Sequence, residues 1–493
     1  MKLQVGDIHN GYEVLPKSQR PTILLLSDDL RMTSGVGNMS REFVMGTLHR
    51  FNWVQIGGAI KHPDEGQNID MNSDMQERTG IPDADLKIHP VSGYGNQELV
   101  RGLMHHYKVQ GFMIYTDPRF WEWFFQMEKE VRSLGPVMYY NIWDDLPYPM
   151  WNQKYYDSVD ALFNISKQTV NIVKQVSTKT EPWEVTYIPH GINEGDFFPI
   201  DEKYKKYKEF TEFKGHILSG KEYKRVFFYN ARNIRRKLTS DIILAFRVFC
   251  DSIPKEDADK CALLMHTQPL DENGTDLPEV AKHLCPDYDV IFSADKLERD
   301  QLNYLYNMSH CGVLISSNEG FGLMGAETLI TGRPLIVNVS GGMQDYCGFK
   351  KEDGEYLTVD DYTLEWGSNH DGRYKDCGEW CYPVWPASRN IQGSIPTPYI
   401  SDDRPDWQDV AIQMKKVWAT DDETLQEQGK KGREYILRPE TGMTASEMNR
   451  RFTHDIQEAI RSWKPRERYE LIDVHKWSPK KIAWNGLTLS KEI

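Results

Sequence analysis

The sequence lacks two features that would indicate a membrane or nucleic-acid protein: a long apolar run and an excess of basic residues. Its 493 residues include 59 Lys and Arg against 73 Asp and Glu, which gives a formal net charge of −14. A transmembrane helix needs about 20 consecutive apolar residues. No such run is present, so we expect no membrane span. The acidic balance argues against a protein that mainly coats nucleic acid, because such proteins are usually basic.

Cysteine is scarce as well, and no standard metal-binding spacing is present. The seven cysteines, an odd number, fit a reduced intracellular protein better than a disulfide scaffold. Cys377 and Cys381, with His370 nearby, lack the second pair that a zinc knuckle needs, so we expect no bound metal. Residues 1–20 lack the apolar core of a signal peptide. We therefore expect a cytoplasmic protein.

Short apolar runs that alternate with helical patterns are the main feature of the first half. The overall hydrophobic fraction of 39% is typical of a folded globular chain. Alternation of this kind predicts βαβ units built around a parallel sheet. The predicted strands lie at 21–27, 53–59, 111–116, 136–141, 161–166 and 185–189, with predicted helices at 38–50 and 119–134.

The same alternation restarts in the second half of the sequence. We therefore predict an α/β protein with two doubly wound, Rossmann-like domains that face a central cleft. In such sheets, ligands bind beyond the carboxyl ends of the strands. The second set of predicted strands lies at 225–230, 262–266, 290–293, 311–316 and 334–339, with predicted helices at 240–250 and 323–331.

Breaks in this alternation define the predicted domains. The first domain covers 1–193 and the second covers 225–445, and the polar, lysine-rich stretch 194–224 connects them. The segment 351–405 is rich in Trp, Tyr, Asp, Gly and Pro, and we interpret it as an insertion or elaborated loop. Residues 446–493 form a C-terminal helix and tail, for which packing back onto the first domain is one option. Helical patterns at 407–419, 423–437 and 444–463 close the chain.

The most informative motif joins a predicted strand to a predicted helix. Glu319 lies in the connecting loop, and Glu327 lies inside the helix. Gly320 and Gly322 permit close backbone approach, and a helix start offers free N–H groups that suit phosphate. One carboxylate before the helix and one within it fit a ligand with hydroxyls at both ends and phosphates between. The alternative interpretation is a plain strand–turn–helix corner with solvated acids.

Two weaker motifs follow the first predicted strand of each domain. From 224 to 237 there are six basic residues and no acid, and Arg232 and Lys237 lie where both can reach one diphosphate. A solvated basic loop or a nucleic-acid patch is the alternative there. Gly35 and Gly37 follow the first strand of the chain and permit backbone approach to an anion or a sugar. A tight turn accounts for those two glycines equally well.

Together these motifs resemble the retaining GT-B glycosyltransferases, and family four in particular. The interval between Glu319 and Glu327 matches the E-x7-E signature of that family. The segment 231–238 is similar to its Arg-to-Lys phosphate loop, and 188–193 resembles its I-P-N-G-V-D crossover. The segment 331–334 matches the stretch after the signature helix. The resemblance covers roughly 20–345 and the closing helices, and it is stronger in the second half.

The resemblance implies a role for each motif residue. Glu319 would contact sugar hydroxyls, and Glu327 would hold the ribose. Arg232 and Lys237 would bind the diphosphate and stabilise its charge on departure. The donor would be a nucleotide diphosphate sugar, most simply a UDP-sugar, transferred as a hexosyl or pentosyl group with retention and without metal or cofactor. Close backbone contacts to the donor would come from Gly35, Gly37, Phe321, Gly322 and Leu323.

One departure from the family concerns a histidine that usually follows a strand in the middle of the first domain. The corresponding segment, 141–147, contains no histidine. Asp144 is our candidate for its catalytic position. Trp143, Asp145 and Asp117 are candidates for acceptor binding, because an aromatic ring can stack on a sugar and carboxylates can accept its hydroxyls. The alternative for each of the acids is a loop cap.

The acceptor is a hydroxyl group whose carrier the sequence leaves open: a glycan, a small molecule or modified DNA. A phage-type enzyme that glycosylates hydroxymethylated DNA bases is one alternative, in which Arg235, Arg236 and the lysines of 203–224 would contact phosphates. A non-catalytic GT-B module that binds nucleotide sugars or glycans is another. A GT-B epimerase or phosphorylase is a third.

Overall fold

Two parallel sheets organise the protein in the computed structural model, which describes residues 13–59, 61–465, 483–484 and 487–488. The first sheet has eight strands in the order β3-β4-β2-β1-β5-β6-β7-β8, and only the short β3 runs antiparallel. Its strands are β1 (Thr22–Asp28), β2 (Asn52–Ala59), β3 (Ile69–Asp70), β4 (Leu86–Ser92), β5 (Gly111–Tyr115), β6 (Val137–Asn141), β7 (Ala161–Asn164) and β8 (Val185–Tyr187).

The second sheet has six strands, all parallel, in the order β11-β10-β9-β12-β13-β14. Strand β14 lies inside the segment 351–405, so that segment is not wholly an insertion: one piece of it completes the sheet. Next to β14 is an antiparallel hairpin of β15 (Ser388–Ser394) and β16 (Thr397–Arg404). The six strands are β9 (Arg225–Asn230), β10 (Cys261–His266), β11 (Asp289–Ser293), β12 (Cys311–Leu314), β13 (Leu335–Asn338) and β14 (Cys381–Val384). Two strands of two residues each, β17 (Ala483–Trp484) and β18 (Leu487–Thr488), pair in the tail.

Helices cover the faces of both sheets, as the alternation predicts. Together with the two parallel sheets they confirm the predicted fold class, two Rossmann-like domains of the GT-B type. The helices are α1 (Gly35–Thr47), α2 (Asn72–Thr79), α3 (Gln97–Tyr107), α4 (Glu122–Phe125), α5 (Glu128–Val131), α6 (Gln153–Asp157), α7 (Lys167–Val176), α8 (Tyr207–Ile217), α9 (Thr239–Asp251), α10 (Lys255–Ala258), α11 (Leu277–Leu284), α12 (Arg299–Met308), α13 (Leu323–Ile330), α14 (Trp407–Ala419), α15 (Asp422–Ile436) and α16 (Ala445–Ser462).

Two helical regions differ from the sequence prediction. The single helix predicted at 119–134 is a 3-10 turn followed by the short α4 and α5, because the chain bends at Met127 (φ −104°, ψ 17°). The bend brings Phe124 and Val131 into one buried cluster. The predicted connection 194–224 contains α8, whose Phe210 is buried against Tyr304 with ring centroids 5.5 Å apart.

At its C-terminal end, the chain returns to the first half of the structure. Helix α16 packs on α1, where the rings of Phe452 and Phe43 lie 4.9 Å apart. At the crossover, Ile192 N–H donates to the Met443 carbonyl and Ala445 N–H donates to the Ile192 carbonyl, each at 2.9 Å. Within the described residues, no helix is both long and apolar enough to cross a membrane.

The two halves meet where the carboxyl ends of their strands face each other. A Cβ on Gly320 would lie 2.8 Å from the Ile142 carbonyl oxygen, so the loop after β12 touches the loop after β6. A Cβ on Gly341 would lie 2.8 Å from the Asp144 carbonyl oxygen. The cleft is therefore narrow at this point, and both glycines are needed for the contact.

Candidate active site

The start of α13 lies at the centre of this junction. Gly322 precedes the helix with φ at +80°, and no side chain caps the first helical N–H groups. A Cβ there would also meet Leu314 Cδ2 and the Tyr346 hydroxyl at 2.9 Å, so only glycine fits. Phe321 is buried, with its ring 5.4 Å from the His190 ring. The uncapped N–H groups and the helix dipole suit an anion.

Glu319 is buried just before this helix and is paired with two cations. Its carboxylate contacts Lys237 Nζ and lies 3.1 Å from Arg236 Nη1. Burial alone would raise the pKa of Glu319, but the charges of Arg236 and Lys237 outweigh it and lower the pKa to about 2. The Lys237 side chain is only 13% exposed, and burial lowers its pKa although Glu319 opposes that shift. Lys237, predicted to bind a diphosphate, therefore lies in contact with Glu319, predicted to bind sugar hydroxyls.

Arg232 lies elsewhere. Its guanidinium is 62% exposed and pairs with Asp271 at 2.8 Å instead of facing Glu319. Arg236, and not Arg232, lies beside Glu319 together with Lys237. The sequence signal for Arg236 was limited to its place in the basic stretch, where it was considered only as a contact for a DNA backbone.

Glu327 lies inside α13 and accepts a hydrogen bond from the Tyr306 hydroxyl. Burial raises the pKa of Glu327 to about 7, although the hydrogen bond from Tyr306 and the charge of Arg299 oppose the shift. Sequence reasoning missed Tyr306, because it comes from α12 and no local pattern links it to the motif.

Asp144 and Asp145 are neighbours in sequence but lie in different surroundings. Asp144 lines a cavity and faces the cluster of Arg236, Lys237 and Glu319. Burial raises its pKa to about 6, with the charge of Arg236 opposing this shift. Asp145 is fully buried, does not line the cavity, and lies against Asp403. Burial and the Asp403 charge raise the pKa of Asp145 well above its usual value.

The other two acceptor candidates, Trp143 and Asp117, do line the cavity. Its volume is about 810 Å³, within the range of about 300–1,000 Å³ that is usual for ligand pockets. The Trp143 indole N–H donates to the Asp145 carbonyl at 2.5 Å, which fixes the ring. Asp117 pairs with Arg119 and also caps the following 3-10 turn, as the loop-cap alternative proposes.

The glycines after β1 have separate roles. Gly37 N–H donates to Ser34 Oγ at 3.0 Å, and a Cβ on Gly37 would lie 2.8 Å from the Met32 carbonyl oxygen. Local packing of the turn therefore requires Gly37. Gly35 is exposed, and a Cβ built on it would lie 3.9 Å from Leu323 Cδ1. The turn thus faces the start of α13 across the cleft.

Nothing in the described part of the chain is arranged as a metal centre: no group of three or more His, Cys, Asp or Glu side chains there has a suitable geometry. Cys377 and Cys381 are free thiols. His190 is buried in the crossover, with Nδ1 2.7 Å from the Tyr140 hydroxyl. Burial lowers its pKa to about 3, so it remains a neutral packing residue at neutral pH.

The fold is that of known GT-B glycosyltransferases. A glycosyltransferase from Rickettsia africae ESF-5 superposes with a TM-score of 0.61 and 12% identity over 90% of this chain and 99% of its own. Anabaena HepE in complex with UDP and glucose gives 0.60 and 10% identity, over 89% and 100%. Sucrose-phosphate synthase from Thermosynechococcus elongatus gives 0.59 and 14%, over 89% and 99%. No family model and no curated protein matches the sequence.

Proposed function

We propose that this protein is a retaining, metal-independent glycosyltransferase that moves a sugar from a nucleotide diphosphate sugar to a hydroxyl acceptor. One observation carries the proposal: the buried carboxylate of Glu319 meets the cations Arg236 and Lys237 at the uncapped start of α13, while Glu327 lies within the same helix. This order of groups fits a ligand that presents sugar hydroxyls, two phosphates and a ribose in turn.

In the proposed reaction, the bond between the anomeric carbon and the donor phosphate oxygen breaks, and the acceptor oxygen bonds to that carbon on the same face. The acceptor proton passes to the departing phosphate. Lys237 would stabilise the charge that develops on the diphosphate, joined by Arg236 as it stands or by Arg232 after release from Asp271. Glu319 would hold sugar hydroxyls, and Glu327 would hold the ribose.

Asp144 is proposed to take the place of the missing histidine. Asp144 lines the cavity and lies near enough to Arg236 and Lys237 for their charges to act on its carboxyl, so it can accept a hydrogen bond from a hydroxyl near the reacting carbon. Because its pKa is about 6, the carboxylate form predominates at neutral pH. We propose that Trp143 and Asp117 contact the acceptor in the same cavity, and Asp145 is excluded by its burial.

The direct test is a thermal-shift screen of nucleotide sugars, with UDP-glucose first because HepE was crystallised with it, followed by assay of nucleotide release. A bound donor raises the midpoint by mass action. We expect Glu319→Gln and Lys237→Ala to abolish turnover. Matched controls on exposed α11, Glu279→Gln and Lys282→Ala, should behave as wild type.

Alanine variants of Arg232 and Arg236 separate the two candidates for the second cation, because only the one that binds the diphosphate should weaken donor affinity. Turnover in Glu319→Gln and Lys237→Ala at the wild-type rate would refute the proposal. Absence of both a thermal shift and nucleotide release with every donor would refute it as well.

A further inference from the structure

The hairpin of β15 and β16 is fixed to the same strand ends that carry Glu319. Asn338 Nδ2 donates to the Asp403 carbonyl, and Asn318 Nδ2 donates to the Ser401 carbonyl, each at 2.8 Å. Asn338 ends β13, and Asn318 directly precedes Glu319. The base of the hairpin therefore belongs to the second half of the chain.

Strand β16 of the hairpin also docks on the first half. Ser401 N–H donates to the Leu146 carbonyl at 2.9 Å. The Tyr399 hydroxyl donates to the Tyr148 carbonyl at 2.8 Å, and its ring lies at 87° to the Trp151 ring with centroids 4.3 Å apart. The hairpin thus bridges the cleft beside the loop that carries Trp143 and Asp144.

This bridge forms one wall of the 810 Å³ cavity. Gln392, Ser394 and Asp402 line it from the hairpin, while Trp143 and Asp144 line it from the first half. Gln392 and Ser394 are both exposed, so their side chains are accessible to a ligand. Ile395 lies at the tip but outside the cavity, and it is 100% exposed.

The cavity walls are balanced in charge. Four arginines and four aspartates line them, and no lysine does. A site for a polyanion needs uncompensated positive charge, whereas a polar site with an aromatic ring suits an uncharged polyhydroxyl ligand. Three of the arginines are paired with carboxylates: Arg119 with Asp117, Arg404 with Asp241, and Arg236 with Glu319.

We propose that the β15–β16 hairpin is the acceptor-selecting wall of this cavity and that the acceptor it admits is an uncharged saccharide. The inference rests on the proposed function, because it assigns the acceptor of that reaction. Because the arginines and aspartates that line the cavity balance, its walls carry no excess of positive charge to attract a sugar phosphate or the backbone of DNA.

Gln392→Arg tests the proposal at an exposed position, where a larger side chain does not threaten the fold. It places a positive charge and added volume in the cavity. Ile395→Arg is the matched control, since it adds the same side chain to the same hairpin outside the cavity. Binding is measured by saturation-transfer NMR with lactose, maltose and cellobiose, with glucose 6-phosphate, and with a DNA duplex containing hydroxymethylcytosine.

We expect wild type and Ile395→Arg to bind an uncharged disaccharide, and Gln392→Arg to lose at least tenfold in affinity for it. In turnover assays, Gln392→Arg should lose at least tenfold in kcat/KM for the acceptor while donor hydrolysis by water changes less than twofold. Equal disaccharide binding in all three proteins, no disaccharide binding by wild type, or preference for the sugar phosphate or the duplex would overturn the proposal. The binding measurement decides this even if no donor is turned over, an outcome that would count against the proposed function instead.

Discussion

Replacing Lys237 with alanine is the perturbation for which the structure gives the clearest magnitude. The pKa of Glu319 falls from its usual 4.5 to about 2 because the charges of Arg236 and Lys237 outweigh its burial. At 1.36 kcal/mol per tenfold change in the proton equilibrium, this corresponds to about 3 kcal/mol of stabilisation of the carboxylate. Arg236 remains at 3.1 Å after the substitution, so we expect the free energy of unfolding to fall by about 2 kcal/mol.

Urea denaturation followed by tryptophan fluorescence measures this loss. The matched control is Arg232→Ala, which removes a cation of the same loop from an exposed pair with Asp271. A pair of that kind contributes at most about 1 kcal/mol. In a Glu319→Gln background, Lys237→Ala should cost little, since no buried charge is then left without its partner. The Lys237→Ala loss should also shrink as the pH falls from about 5 toward 2, because Glu319 becomes protonated in that interval.

A coupling free energy below about 0.5 kcal/mol between the two substitutions would show that the contact does not stabilise the fold. Equal losses for Lys237→Ala and Arg232→Ala would lead to the same conclusion. Either result would refute the argument that burial and pairing determine the state of this cluster.

Three further predictions concern the pH response and the closure of the cleft. Donor affinity should rise as pH increases through about 7, where Glu327 ionises, and Glu327→Gln should flatten that profile in calorimetric titrations. Burial and Asp403 raise the pKa of Asp145, so above the pKa of the unfolded chain the folded protein keeps a proton that the unfolded chain releases. The free energy of unfolding is therefore higher at low pH and falls as the pH rises. Asp145→Asn, which keeps a hydrogen-bond donor without that proton, should raise the melting midpoint by about 3 °C at pH 8 but not at pH 4. Gly320→Ala should hold the halves apart, because its Cβ meets the Ile142 carbonyl oxygen at 2.8 Å. X-ray scattering should show a larger radius of gyration, and turnover should fall at least tenfold.

The fold was predictable from sequence because buried parallel strands are short, continuous apolar runs. Strand β1, for example, buries five consecutive residues, and a run of this kind is typical of a strand that is covered on both faces. Strand β4 was missed because its buried and partly exposed residues alternate. Strand β14 was missed because it is short and contains Pro383 in a polar, aromatic neighbourhood.

The candidate site was predictable only where its geometry is local. The interval between Glu319 and Glu327 follows from one strand–turn–helix unit. Which arginine faces Glu319 depends on a 3-10 turn that ends at Leu238 in the left-handed conformation (φ +53°), and nothing in the sequence marks a leucine for that conformation. Likewise, Asp144 and Asp145 lie in a loop without periodicity, so no pattern could separate the one that lines the cavity from the one that is buried.

In the proposed reaction, the donor would replace the contact between Glu319 and Lys237. Leaving the buried charges of Glu319 and Lys237 without partners would cost several kcal/mol. When no ligand is bound, the two side chains therefore pair with each other. A donor would supply hydroxyls to Glu319 and phosphates to Lys237, giving each group a new partner as the internal contact opens. The same contact that stabilises the empty site therefore makes donor binding an exchange of partners, and this exchange is selective for ligands that carry both hydroxyls and phosphates. A ligand with hydroxyls but no phosphate would leave Lys237 buried and unpaired, and a ligand with phosphate but no hydroxyls would leave Glu319 with its Arg236 contact but without its Lys237 contact.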